Sequence, residues 1–204
     1  MLRDSVSNDI LTVILFCSIL LIVVLKKIDP LKFKLNLSIS KRDIKNKFYG
    51  IKFIDIIYKI LFISNLSILI TFYKIGKFEM VVYLSLLKLL SIFFIFRIFI
   101  DYLVGNLFAI QELMKNYIYS KIIYFNSLGF VLIIFNFLVT YYFYFSNNFT
   151  LIFIFISLLF LIYSYFSIFF SIKKILIKNW FYFILYLCTL EIIPYYYLIS
   201  NIYK

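Results

Sequence analysis

Glu191 sits in the apolar run that closes the chain, three residues before Pro194, and Lys88 interrupts another apolar run. An ionisable side chain held in hydrocarbon costs about 2.5–3.5 kcal/mol on insertion scales, so each implies a partner or a task. Pro194 cannot donate a backbone hydrogen bond, which leaves the carbonyl of Leu190 without its usual partner and bends a helix there. A carboxyl beside a freed carbonyl is the local pattern of a cation or proton site. It is equally a structural kink sealed by a cation, and this reading is preferred. Lys88 lies about 12 Å past Met80 and Glu191 about 12 Å before Ile199, at the helical rise per residue. If those two ends lie on one side, depths match and signs oppose, so a Lys88–Glu191 ion pair is expected.

A second constellation begins at Arg97 and Asp101, four apart and therefore on one helical face. If that helix continues past Gly105, the same face receives Phe108, Glu112 and Lys115. The resulting polar stripe is either the solvated end of a long helix or a contact site for a partner helix or a lipid headgroup. Asp101 with Glu112 is also the best acid pair for an enzyme acting on a lipid-linked substrate. The pair is thin, and no catalytic residue is assigned.

The composition removes most other chemistry. The chain has no His, which takes away the usual general base and the His-based zinc and haem sites. Four scattered glycines make neither a phosphate loop nor a dinucleotide fingerprint. Cys17 and Cys188 lie in apolar runs, where a thiol acts as a small hydrophobe. No metal and no cofactor are expected.

The elements that must position these residues are membrane spans. Hydrophobic residues make up 65% of the 204 and charged ones 15%, against roughly 45–50% and about 25% in soluble domains. A helix crosses the ~30 Å hydrocarbon layer with ~20 apolar residues. Six segments qualify, at about 10–25, 56–73, 80–104, 127–145, 149–172 and 180–199, giving one all-α membrane domain over 1–204. The first has Arg3 before it but no small-residue cleavage site after it, so a retained anchor is favoured over a signal peptide.

The net charge of +12 would suggest nucleic acid in a soluble protein; here it belongs to the loops, and nucleic acid is not expected as a partner. The first, third and fifth loops carry Lys26, Lys27, Lys32, Lys34, Lys41, Arg42, Lys45, Lys47, Lys52, Lys115, Lys121, Lys173, Lys174 and Lys178. The other side carries Arg3, Lys74, Lys77 and Lys204. Lys and Arg collect on the cytoplasmic side, so both termini are expected outside the cytoplasm. Trp180 is expected to anchor the inner end of the last span at the headgroup level.

In the basic loop 26–55, Asp29–Pro30 marks a turn, and Ser38-Ile39-Ser40 before Lys41-Arg42-Asp43 looks like a helix start. Leu31, Phe33, Leu35, Leu37 and Ile39 alternate with polar residues, which fits a short strand or an extended interfacial segment. Anionic lipid headgroups are its expected partner, with a docking surface for a cytoplasmic protein as the alternative. Ser157, Ser164 and Ser171 form a small-residue stripe for close helix packing, and Asn65 and Asn136 are expected to be interhelical amides.

The final segment, Asn179-Trp180-Phe181-Tyr182-Phe183-Ile184-Leu185-Tyr186-Leu187-Cys188-Thr189-Leu190-Glu191-Ile192-Ile193-Pro194, resembles the hallmark of the domain-of-unknown-function 4271 family of bacterial integral-membrane proteins. The basic first loop and the charged segment from Arg97 to Glu112 extend the likeness over nearly the whole chain. The resemblance implies a polytopic inner-membrane protein of a Gram-negative bacterium and supplies no activity. It gives added weight to Trp180, Glu191 and Pro194. The expected role is a non-enzymatic structural or assembly component of the envelope, working with a membrane-protein partner. A small ion- or proton-coupled carrier using Glu191 and Lys88 is the alternative.

Overall fold

The structure, a computed structural model, describes residues 2–37, 53–107, 111–143 and 146–176, together with Pro194, Tyr197 and Ser200. The segments fold into six helices: α1 (Leu2–Ile28), α2 (Pro30–Leu37), α3 (Phe53–Ile75), α4 (Met80–Leu107), α5 (Gln111–Tyr141) and α6 (Asn147–Leu176). All but α2 contain a stretch long and apolar enough to cross a membrane, within Asp9–Ile28, Phe53–Ile75, Met80–Asn106, Met114–Tyr141 and Asn147–Ile168. The chain is an all-α polytopic membrane protein. The sixth expected span lies outside the described residues, apart from Pro194 and Tyr197.

The helix ends follow local chemistry. Asp29 caps α2, its Oδ1 accepting from the backbone N–H of Lys32 at 3.0 Å, and Pro30 fills the first helical position. That cap corrects the extended reading of residues 31–37. Alternation in a short segment loses to an Asp-Pro start signal, and Phe33 N–H donates to Asp29 O at 3.0 Å as the first turn closes. The expected helix start at Ser38–Asp43 lies outside the described residues. At the far end of α3, Gly76 takes φ +72° and its N–H returns to Phe72 O at 2.9 Å, a left-handed stop that a residue with a Cβ would strain. Ser146 opens α6, its carbonyl receiving Thr150 N–H at 3.1 Å.

α5 is the central pillar. Every residue from Tyr117 to Gly129 is buried, so no side of that stretch faces out. Two thirds (67%) of its most apolar window is buried, compared with 22% in α1 and 28% in α4 and α6. α1, α2, α3, α4 and α6 all pack on it. The core around it joins Leu11 and Leu15, Phe62 and Phe72, Leu90 and Phe94, Phe125 and Leu132, and Phe153. Gly129 permits a close approach of α3 to α5, since a Cβ there would lie 3.3 Å from Phe62 Cβ. The outer helices turn Phe16, Val81, Ile92 and Phe155 outward. In water such a surface would aggregate; in lipid it is the solvated face.

Two boundaries move from their sequence positions. The fourth span starts near Met114 rather than at 127, because the buried Lys121 and Asn126 broke the apolar run without breaking the helix. The stripe from Arg97 to Lys115 is also corrected. α4 ends at Leu107 and α5 begins at Gln111, and Met114 Cβ lies 3.1 Å from the Cβ position of Gly105. Nine residues of continuous helix would separate those two by about 13 Å. The chain therefore turns back, placing Glu112 and Lys115 on the next helix, where Lys115 is exposed.

Candidate functional site

Polar and charged residues concentrate in one layer of the bundle, at the end where α2 packs. The layer is built on α5, and each neighbouring helix contributes to it. On α4, Arg97 and Asp101 are 2% and 1% exposed, with Arg97 Nε 3.6 Å from Asp101 Oδ1. From α5, Lys121 reaches the other oxygen of the same carboxylate at 3.4 Å. Asp101 thus bridges a cation of its own helix and one of the pillar. Removing one partner of a buried ion pair costs about 3–5 kcal/mol because the other charge is stranded.

Lys59 enters the layer from α3. Its ammonium lies 4.0 Å from the ring centre of Phe125, 4.3 Å from that of Phe94 and 5.5 Å from that of Phe62. These three rings, from α5, α4 and α3, present their negative faces to the cation, worth about 2 kcal/mol or more where water is excluded. Phe62, Phe94 and Phe125 also pack against one another with centroids 5.2–5.5 Å apart, so the contact between the rings holds them around the cation.

A third group lies beneath α2. Lys32 and Asp55 form a direct ion pair, each 3% exposed. The Ser127 hydroxyl donates to the backbone carbonyl of Asn36, tying α2 to α5. Phe130 packs edge-on against both Phe33 of α2 and Tyr58 of α3, with centroids 5.6 Å apart in each case. Both side-chain amide atoms of Asn36 on α2 and of Asn126 on α5, and the hydroxyl of Tyr58 on α3, are buried with no hydrogen-bond partner among the described residues. A buried polar group left unsatisfied costs about 1–3 kcal/mol.

Deeper in the bundle the polar links are neutral. Asn136 of α5 donates its side-chain N–H to Asn65 O at 2.8 Å and lies 3.2 Å from Asn65 Oδ1, while Asn65 donates to Leu61 O at 2.9 Å. The Ser64 and Tyr83 hydroxyls share a hydrogen bond of 2.9 Å between α3 and α4. On α6, Ser157 and Ser164 are buried and bond back to their own helix, and Ser167 meets the Tyr124 hydroxyl of α5.

Of the residues singled out in the sequence, Arg97 and Asp101 are brought together, and Asn65 meets Asn136. Lys88 is exposed among the described residues. Glu191 and Trp180 lie outside the described residues; Pro194 is in helical backbone and half-buried. The charge pattern along the chain assigns Lys32 and Lys121 to loops, and nothing in that pattern marks Asp55 or the Lys59 cage. The signal available was scarcity: with nine acids against 21 cations, an acid near a span mouth is worth pairing first. Among the described residues, no group of three or more His, Cys, Asp or Glu side chains could hold a metal.

No curated protein and no solved structure matches the chain. A family model described as Domain of unknown function (DUF4271) does match, over residues 11–202. That span takes in the central pillar, the charged layer around it and the closing segment with Glu191 and Pro194, so the chain belongs to the DUF4271 family.

Proposed function

We propose that this protein is a non-enzymatic structural or assembly component of the cell envelope, set in the bacterial inner membrane with both termini outside the cytoplasm. The observation that supports it most is Asp101. Its two oxygens face Arg97 and Lys121, and it is 1% exposed. A carboxylate used to move protons or activate substrate must exchange with the outside and change charge, and doing so here would strand two buried cations. The same charges serve well as fasteners, because a broken pair in a low-dielectric layer is expensive. Asp101 is also the acid that the enzymatic alternative needs, and it is already engaged. The orientation rests on the concentration of Lys and Arg in the odd-numbered loops.

The test is purification of the tagged full chain from its native membrane in mild detergent, with chemical cross-linking before solubilisation. A partner membrane protein is expected at fixed stoichiometry, and the Asp101→Asn variant should lose it in step with its own abundance. A wild-type chain that elutes alone, with no cross-linked partner, contradicts the proposal.

A further inference from the structure

The polarity of α2 is the reverse of a helix on a water-soluble domain. Its inward face sets Lys32 and Asn36 beside Leu35; Lys32 pairs with Asp55, and Asn36 is fully buried. Its outward face carries Leu31, Lys34 and Leu37, spaced by three and therefore side by side. All three are exposed, the leucines at 56% and 52%, and Ile28 just before them at the end of α1 is exposed as well. Leucines held outward around a central lysine are at home where hydrocarbon ends and headgroups begin. There the apolar side chains enter the acyl region while the ammonium reaches the phosphates.

The bundle sets α2 at that depth. Leu25, one turn before α2, packs with Tyr58 and Leu61 in one buried cluster, and Phe130 links Tyr58 to Phe33 of α2. At the helical rise, about 24–26 Å separates Leu25 from Asp9 and Tyr58 from Ile75, the far ends of their spans. The hydrocarbon layer is ~30 Å thick, so this cluster and the helix beside it lie near one boundary of it. The exposed charge at that boundary has one sign. Lys26, Lys27 and Lys34 are exposed, and the Lys26 ammonium lies 5.7 Å from the ring centre of Phe33, across the elbow between α1 and α2. The acids beside them are engaged: Asp29 is half-buried and caps α2, and Asp55 is buried against Lys32. Each lysine at a bilayer surface adds attraction for anionic lipid. We propose that the α1–α2 elbow is an interfacial grip for anionic phospholipid, with Leu31 and Leu37 in the acyl boundary and Lys26, Lys27 and Lys34 on the phosphates. This narrows the lipid expected along the basic loop to named side chains. It goes beyond the structural role proposed above and depends neither on that role nor on which side of the membrane α2 faces.

The experiment uses the full chain in nanodiscs of phosphatidylcholine and phosphatidylglycerol in equal parts. With Cys17 and Cys188 replaced by Ser, bimane attached through Leu37→Cys reads depth. It is expected to be quenched by phospholipid brominated near the top of the acyl chain, and several-fold less by acrylamide in the water. Strong acrylamide quenching with little from the brominated lipid overturns the interfacial placement and marks α2 as a water-facing docking surface. Native mass spectrometry of the unlabelled protein after release reads lipid preference. Phosphatidylglycerol is expected to be retained about tenfold over phosphatidylcholine, and Lys27→Gln with Lys34→Gln should lower that preference about fivefold with the helical signal intact. Lys27→Arg with Lys34→Arg should keep it. Lys74→Gln with Lys77→Gln removes the same charge from the opposite end of the bundle and should leave most of it. A preference lost equally in both Gln pairs, or in neither, overturns the assignment to the elbow.

Discussion

Asn136 donates its side-chain amide to the backbone carbonyl of Asn65 at 2.8 Å, both residues fully buried, one on α5 and the other on α3. Asn65 in turn donates to Leu61 at 2.9 Å, so the clasp uses one amide to satisfy its neighbour's backbone. Interhelical hydrogen bonds in membranes average about 0.6 kcal/mol and reach about 1.7 kcal/mol. Asn136→Leu is expected to cost within that range, and adding Asn65→Leu should cost less than a second equal step. Reversible unfolding in mixed micelles checks both values.

Lys32–Asp55 fastens α2 to the mouth of α3. Asp55→Asn leaves the Lys32 ammonium buried without its carboxylate and is expected to cost about 3–5 kcal/mol or to release α2. Release has a direct readout. With Cys17 and Cys188 both replaced by Ser, the thiol introduced by Leu35→Cys, on the buried face of α2, should react with a water-soluble maleimide in the Asp55→Asn protein and not in its parent. Adding Lys32→Met should restore protection, because neither charge then remains.

Lys88 and Glu191 oppose in sign, and their expected depths match. We propose that they pair and fasten the third and sixth spans. Lys88→Met and Glu191→Gln singly should each lower the amount of folded protein in the membrane, with substantial recovery in the double variant. Quantitative immunoblotting of washed membranes measures it, and an additive loss would remove the pairing.

Much of this architecture was legible because lipid imposes a long apolar run on every crossing helix, and runs such as 149–172 announce themselves. What was hidden follows from one physical fact: a cation counts as a loop residue only if it reaches water. Lys121 and Lys32 read as loop charges, yet Asp101 and Asp55 hold them inside. That shift moved the start of α5 and converted residues 31–37 from an extended segment to a packed helix. Gly105 read as a position a helix could run through, while its bare Cα lets Met114 approach at the turn between α4 and α5. Arg97 and Asp101 were readable as a pair because both belong to one helix. Their partner on α5 and the Lys59 cage depend on contacts between helices, which spacing along one chain segment does not encode.

The claim that these charges fasten the helices together rests most directly on Asp101 and Lys121, 3.4 Å apart across α4 and α5. A double-mutant cycle with Asp101→Asn and Lys121→Met, read by reversible unfolding in lipid–detergent micelles, measures their coupling. The account predicts that each single variant is strongly destabilised and that the pair recovers part of the loss, with a coupling of about 1–3 kcal/mol. Two losses that simply add would contradict it.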